Sequence, residues 1–279
     1  RLPKLPLPNS RQAACVEPCM MAALEKEIQR YAELQDPAWH GLLSCWLQAV
    51  GVVRLKHIKR SAPTRLSAST FHAVCSRGKQ KSLRQGFDWA APARFLTTDW
   101  CWAQRWLQDW EKLSTAKQDQ IGMIWDTERV VPLSSQAAID IARSVFEKFL
   151  DNPDLLTTYS WRRVAPTLSH LLGFGPLQIQ ALGDWQDKQP APAPGQPAVQ
   201  FNATPLRYSS AKYIQSLKAK HEVAGALAQL THYSTWEDIS EAALKWALKV
   251  GEKEATEALE QDRHFTWQTK QISAATRRR

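Results

Sequence analysis

The stretch "TDWCWAQRWLQDWEKL" carries tryptophans at positions 102, 106 and 110. Spacing of i, i+4, i+8 puts three of the largest apolar side chains on one face of a helix, and only a thick core can cover such a face. The stripe is therefore expected inside the fold rather than as a base-stacking platform, with Thr98 or Asp99 capping the helix. The 279 residues are 44% hydrophobic and include 13 tryptophans, enough for one large domain or two small ones and too apolar for a disordered chain.

Helical spacing recurs along the chain. After Pro18, "CMMAALEKEIQRYAELQ" reads as a helix, followed by "PAWHGLLSCWLQAVG" with Pro37 suited to the first turn and Gly51 to the stop. Leu43, Trp46, Leu47 and Val50 should form the buried stripe of that second helix. Residues 134–150 predict another capped helix. Residues 157–186, "TTYSWRRVAPTLSHLLGFGPLQIQALGDWQ", predict a helical hairpin with a glycine-proline turn. Between residues 52 and 92 the texture changes to short β-favouring runs around Gly78 and Gly86, which predicts one small antiparallel sheet whose hairpin loop is the basic "RGKQK". Residues 1–9 and 187–204 are proline-rich and read as extended segments, two helical stretches follow residue 205, and the chain ends in a basic "RRR". The expected class is mainly α with a small antiparallel β-sheet.

Charge is unevenly distributed under a net of +9. Residues 51–85 hold nine basic and no acidic side chains, whereas residues 86–154 hold seven basic and eleven acidic. So pure a basic block calls for solvent or a polyanion, and nucleic acid is the usual one. The five cysteines (Cys15, Cys19, Cys45, Cys75, Cys101) form no CxxC pair and no metal-like spacing with histidine, which predicts reduced, small core residues in an intracellular protein, nuclear or cytoplasmic, and no metal. No secretory leader opens the chain and no apolar run reaches about 18 residues, so a soluble chain without a membrane role is expected. The start at Arg1 rather than Met suggests a fragment or processed chain.

Arg162 and Arg163 in "YSWRR" sit at an expected helix start, where backbone N–H groups also favour anions. A guanidinium can grip two phosphate oxygens at once. They belong to an ordered set: an arginine in "GVVRLKHIKRS", a lysine in "SRGKQKSLRQGFDWAAP", the arginine of "YSWRR", a turn "QALGDWQ" and a tyrosine in "PLRYSS". That set resembles the catalytic domain of the tyrosine recombinases, the phage-integrase superfamily, over about residues 40–215. The resemblance assigns Arg54 to the first arginine and Lys79 to the hairpin lysine, with Lys81 as fallback. It assigns Arg162 to the second arginine and Tyr208 to the nucleophile, with Tyr213 as fallback. Tyr159 stands where the family has His, and Asp184 stands where a second His is expected. Asp184 and Tyr208 lie 24 positions apart because the proline-rich stretch intervenes.

The resemblance implies DNA strand cleavage and rejoining without a cofactor. Tyr208 would form a 3′-phosphotyrosyl link, Arg54 and Arg162 would stabilise phosphate charge, and Lys79 would protonate the departing 5′-oxygen. Tyr159 could donate a hydrogen bond, and Asp184 could orient Arg162 or a water. Double-stranded DNA is the expected partner, contacted by Lys56, Lys59, Arg60, Arg77, Lys81, Arg84, Arg163 and Arg207, with a homo-oligomer forming on the DNA. His57, His72 and His170 read as structural or DNA-contacting residues. The implied organisation is a tail and helix over residues 1–36 (a remnant of a DNA-clamping domain), a catalytic domain over 37–220 with its insertion at 187–204, and a helical extension over 221–279. The alternatives are an inactive DNA-binding descendant of the same fold, a helix-turn-helix regulator built on residues 161–183, and a helical interaction scaffold.

Overall fold

The computed structural model describes residue 13 and residues 15–76, 87–98, 100–148, 150, 152–183 and 210–264. Two helices begin it, α1 (Pro18–Glu33) and α2 (Ala38–Ala49). α1 buries Met20, Met21, Leu24, Ile28 and Ala32 at helical spacing. The expected stripe of α2 is buried, but so is every residue from Trp39 to Ala49, because α1 and two later helices, over residues 135–146 and 158–162, all pack on it. Pro37 lies one position before the first helical residue, at the cap.

A short helix α3 (Leu55–Ile58) leads into the three-stranded antiparallel sheet β1 (Ser61–Leu66), β2 (Thr70–Cys75) and β3 (Phe87–Pro92), in that spatial order. Cys75 pairs with both Ser61 and Phe87, which sets one end of the sheet. Leu66, Phe71 and Ala91 mark the other.

The tryptophan stripe lies on α4 (Trp102–Glu111), with Trp102, Trp106 and Trp110 buried among Trp46, Trp125 and Phe71. Trp106 meets Phe71 at 5.6 Å and Trp125 at 5.6 Å between ring centroids. Neither expected cap is seen: Cys101 holds the cap position without a side-chain bond, Thr98 Oγ1 accepts from Trp100 N (3.3 Å), and Asp99 lies outside the described residues. The helix starts where Trp102 can enter the core and donate its Nε1–H to Pro92 O (2.8 Å). The approach to it is tied down by the buried Glu25, whose carboxylate accepts from Leu96 N (2.7 Å), Thr97 N (2.9 Å), Thr97 Oγ1 (2.6 Å) and Trp46 Nε1 (2.7 Å).

Next come α5 (Thr115–Ile121) and a second ladder that the sequence reading lacked, β4 (Trp125–Asp126) with β5 (Val131–Pro132). α6 (Ser135–Phe146) follows, with Ser134 accepting from Ala137 N. The expected helical hairpin is broken once more than its pattern implied, into α7 (Thr158–Arg162), α8 (Val164–Leu171) and α9 (Pro176–Gly183). Pro166 has no N–H to return to the Arg162 carbonyl, so α7 ends there, while a Thr157–Ser160 capping box fixes its start.

Two long helices complete the fold, α10 (Ser210–Leu230) and α11 (Glu241–His264). α10 is buried from Ala219 to Ala226 between α11, α9, α8 and β3. One core cluster joins residues from Val16 on the N-terminal side to Ala247 on α11, and the domain boundary expected after residue 220 falls inside α10. Cys45 and Cys75 are buried, and Cys15, Cys19 and Cys101 are half-buried. Among the described residues no helix is long and apolar enough to cross a membrane.

Candidate functional site

Arg54 and Arg162 lie within electrostatic reach of each other and of His57, whose ring meets Phe87 at one end of the sheet. The chain leaves α2 through Val52, whose φ of 55° puts a β-branched residue in the left-handed region. Arg162, the last residue of α7, donates through Nη2 to the Val52 carbonyl (3.3 Å) and holds this turn in place. Two residues on, Arg54 caps α3, its carbonyl accepting from His57 N (2.7 Å) and Ile58 N (3.0 Å). Arg162 is only 7% exposed. Burial first, and then the nearby Arg54 charge, bring its pKa down to about 10, while Tyr159 acts in the opposite direction. It stays charged at neutral pH.

His57 lies one helical turn after Arg54, half-buried, with its ring edge-on to Phe87 of β3 at 5.0 Å. Burial, followed by the charges of Arg54, Arg162 and Arg60, pulls its pKa down to about 4. It is therefore a neutral imidazole among three guanidinium groups. Around it, Lys56 and Arg60 are exposed, and Lys59 is half-buried with its pKa lowered by burial and by Arg60. Ser76, where the β2–β3 connection begins, donates to the Arg60 carbonyl from both N (3.0 Å) and Oγ (3.1 Å).

Tyr159 is 62% exposed, one turn before Arg162. Together with Arg162, Arg163, Pro166 and Thr167 it lines an open cleft of about 270 Å³. Arg163 Nη1 donates to Ala13 O (2.5 Å), which draws the N-terminal segment across α8.

Of the catalytic and DNA-contacting candidates, Arg54, Lys56, Lys59, Arg60, Tyr159, Arg162 and Arg163 are described; Tyr159, Arg162 and Arg163 line the cleft, and Arg54 and Arg60 act with Arg162 on His57. Lys79, Asp184 and Tyr208, with Arg77, Lys81, Arg84 and Arg207, lie outside the described residues. The fallback nucleophile Tyr213 is engaged elsewhere: its hydroxyl meets His72 Nδ1 at 2.5 Å. His72 Nε2 reaches Asp262 Oδ1 (3.1 Å), and Asp262 is ion-paired with Arg65. Burial, with Asp88 and Asp262 nearby, raises the Tyr213 pKa. This tyrosine holds α10 and α11 onto the sheet and is a poor nucleophile.

His57 was read from the sequence as a structural or DNA-contacting residue, and it lies one helical turn after Arg54. Asp262 escaped the sequence reading, since 190 positions separate it from His72. Among the described residues no cluster of three His, Cys, Asp or Glu side chains is placed to hold a metal ion. No family model matches the chain, and no curated protein or solved structure matches it either.

Proposed function

We propose that the chain cleaves and rejoins DNA strands in the manner of a tyrosine recombinase. The observation that carries this reading is the approach of Arg54 and Arg162, from α3 and α7, to within electrostatic reach of each other at a corner rich in further basic residues. Two guanidinium groups this near each other would stabilise the charge that develops on a phosphate held between them. In this reading Tyr208 attacks a backbone phosphate to give a 3′-phosphotyrosyl link and a free 5′-hydroxyl. Arg54 and Arg162 carry the charge on the non-bridging oxygens, and Lys79 protonates the departing oxygen. Bond energy is kept in the covalent link, so the reaction needs no nucleotide cofactor. Lys56, Lys59 and Arg60 supply backbone contacts beside the site.

The exposure of Tyr159, where the family carries a histidine, favours one second reading: a DNA-binding descendant that no longer cleaves. Incubation with a nicked duplex, followed by a denaturing gel, separates the two. Cleavage predicts a covalent protein–DNA band that disappears in Tyr208→Phe and falls roughly 10²-fold in Arg54→Ala, the usual loss of a preorganised charge-stabilising group. Salt-sensitive binding with no band from the wild-type chain would leave the second reading in place.

A further inference from the structure

We propose that the cleft between α10, α11 and the connector after β3 binds a free amino acid, its ammonium held by Glu254 and Glu257 and its carboxylate by Arg94. This site is separate from the arginine corner and does not rest on the strand-cleavage reading. The cleft opens beside Ser69 and Pro92, at the Thr70 end of β2, whereas His57 meets Phe87 at the Cys75 end. Three observations carry it. The first is space: the cleft holds about 560 Å³, more than the cleft at Tyr159 and within the roughly 300–1,000 Å³ of small-molecule sites. One face of α10 builds its floor, where His221, Ala224, Gly225 and Ala228 recur at helical spacing and the three small residues leave the volume open. The second is His221, which is only 6% exposed. Its Nε2 meets Thr70 Oγ1 at 2.9 Å, and its other ring nitrogen has no hydrogen-bond partner among the described residues. One hydrogen-bonding position on the cleft floor is therefore left for a ligand.

The third is charge of both signs on different elements. Glu254 and Glu257 stand one turn apart on α11, and Gln261 follows one turn later, all three lining the cleft. A Cβ on Gly225 would overlap Glu254 Oε2, so the missing side chain is what seats this carboxylate against α10. Partial burial raises the Glu254 pKa, the charge of Glu257 adds to the rise, and Lys253 opposes it. An ammonium placed on the two carboxylates relieves their repulsion. Arg94 enters from the connector, and a guanidinium can fork both oxygens of a carboxylate. A ligand with only a positive charge would be opposed by Arg94, and one with only a negative charge would meet two glutamates. An amino acid satisfies both, and Phe95 and Leu96 offer apolar lining to its side chain. Burial first pulls the His221 pKa down to about 4, so the floor adds a neutral imidazole and no third charge.

The test is a thermal melt of the full chain with each of the common free amino acids, followed by calorimetric titration of those that raise Tm. Butylamine and butyrate, which carry one charge each, serve as controls. At least one amino acid should raise Tm by about 5 °C or more at about 100 times its Kd, and neither control should match it. Glu257→Gln and Arg94→Gln should each weaken that binding by about 10-fold or more, the usual loss of a charge-assisted bond. Ala228→Trp, which fills the cleft, should abolish it, while Lys56→Ala at the arginine corner should leave it unchanged. Each variant is melted without ligand first, so the readout is the change that ligand causes and a lower starting Tm does not obscure it. Absence of a shift with every amino acid would overturn the proposal, as would a shift that survives in Ala228→Trp. A shift produced equally by butylamine would reduce the cleft to a cation site and overturn the amino-acid assignment.

Discussion

At Asp262, burial alone would raise the carboxyl pKa, yet hydrogen bonds from His72 and Arg65 and the charge of His72 hold it well below the ordinary carboxylate range. A folded-state pKa below the unfolded value adds stability that is fully present above about pH 4, the unfolded value, and is lost as pH falls toward the folded one. Asp262→Asn should therefore destabilise the protein by about 2 kcal/mol at pH 7, the range for charge-assisted bonds, and by progressively less below about pH 4. Thermal melts across pH check this, and a penalty that grew in acid would contradict it. Glu25 runs the other way: burial raises its pKa although four donors converge on it, and its role is to fix the connector before α4. Both carboxylates are structural, and neither faces the arginine corner.

Among the elements, α10 and α11 cross where backbone meets backbone. A Cβ on Gly251 would overlap the carbonyl oxygen of Glu222, and one on Gly225 would lie 3.0 Å from Gly251 Cα. Gly251→Leu should push the helices apart and cost about 1–3 kcal/mol, read as a lowered Tm, while an unchanged Tm would refute this close crossing. What was legible in the sequence at this scale was local. The stripe of Trp102, Trp106 and Trp110 needs nothing beyond the helical period, and a small antiparallel sheet follows from β-favouring runs between turn residues, though not its count of three strands. What was not legible depends on neighbours. α2 looks amphipathic in isolation and is enclosed because three helices surround it. The break at Arg163 follows from one carbonyl that Pro166 cannot serve. The cap expected at Thr98 is not formed, because the helix begins at Trp102 with Cys101 at its cap position. At the site, the resemblance named Arg54 and Arg162, while their electrostatic influence on each other and on His57 belongs to the fold.

Across the whole molecule, the basic block of residues 51–85 supplies both β1 and β2 of the sheet and the arginine corner at its end, where Lys56 and Arg60 remain exposed. Under the proposed function, binding to DNA should weaken with salt through the release of counterions. Lys56→Ala and Arg60→Ala should each reduce the slope of log K against log salt by about 0.9, with little dependence on DNA sequence, in titrations by fluorescence anisotropy. A slope unchanged in the double variant would remove this corner from the DNA interface. The central claim, a covalent tyrosine link to DNA, is tested most directly by locating that link. Trypsin cuts after Arg207 and Lys212, which places Tyr208 and Tyr213 in different peptides. Mass spectrometry of the chain trapped on a nicked duplex should find the nucleotide adduct on the peptide 208–212. An adduct on the peptide beginning at Tyr213, or no adduct on any tyrosine, would contradict the account.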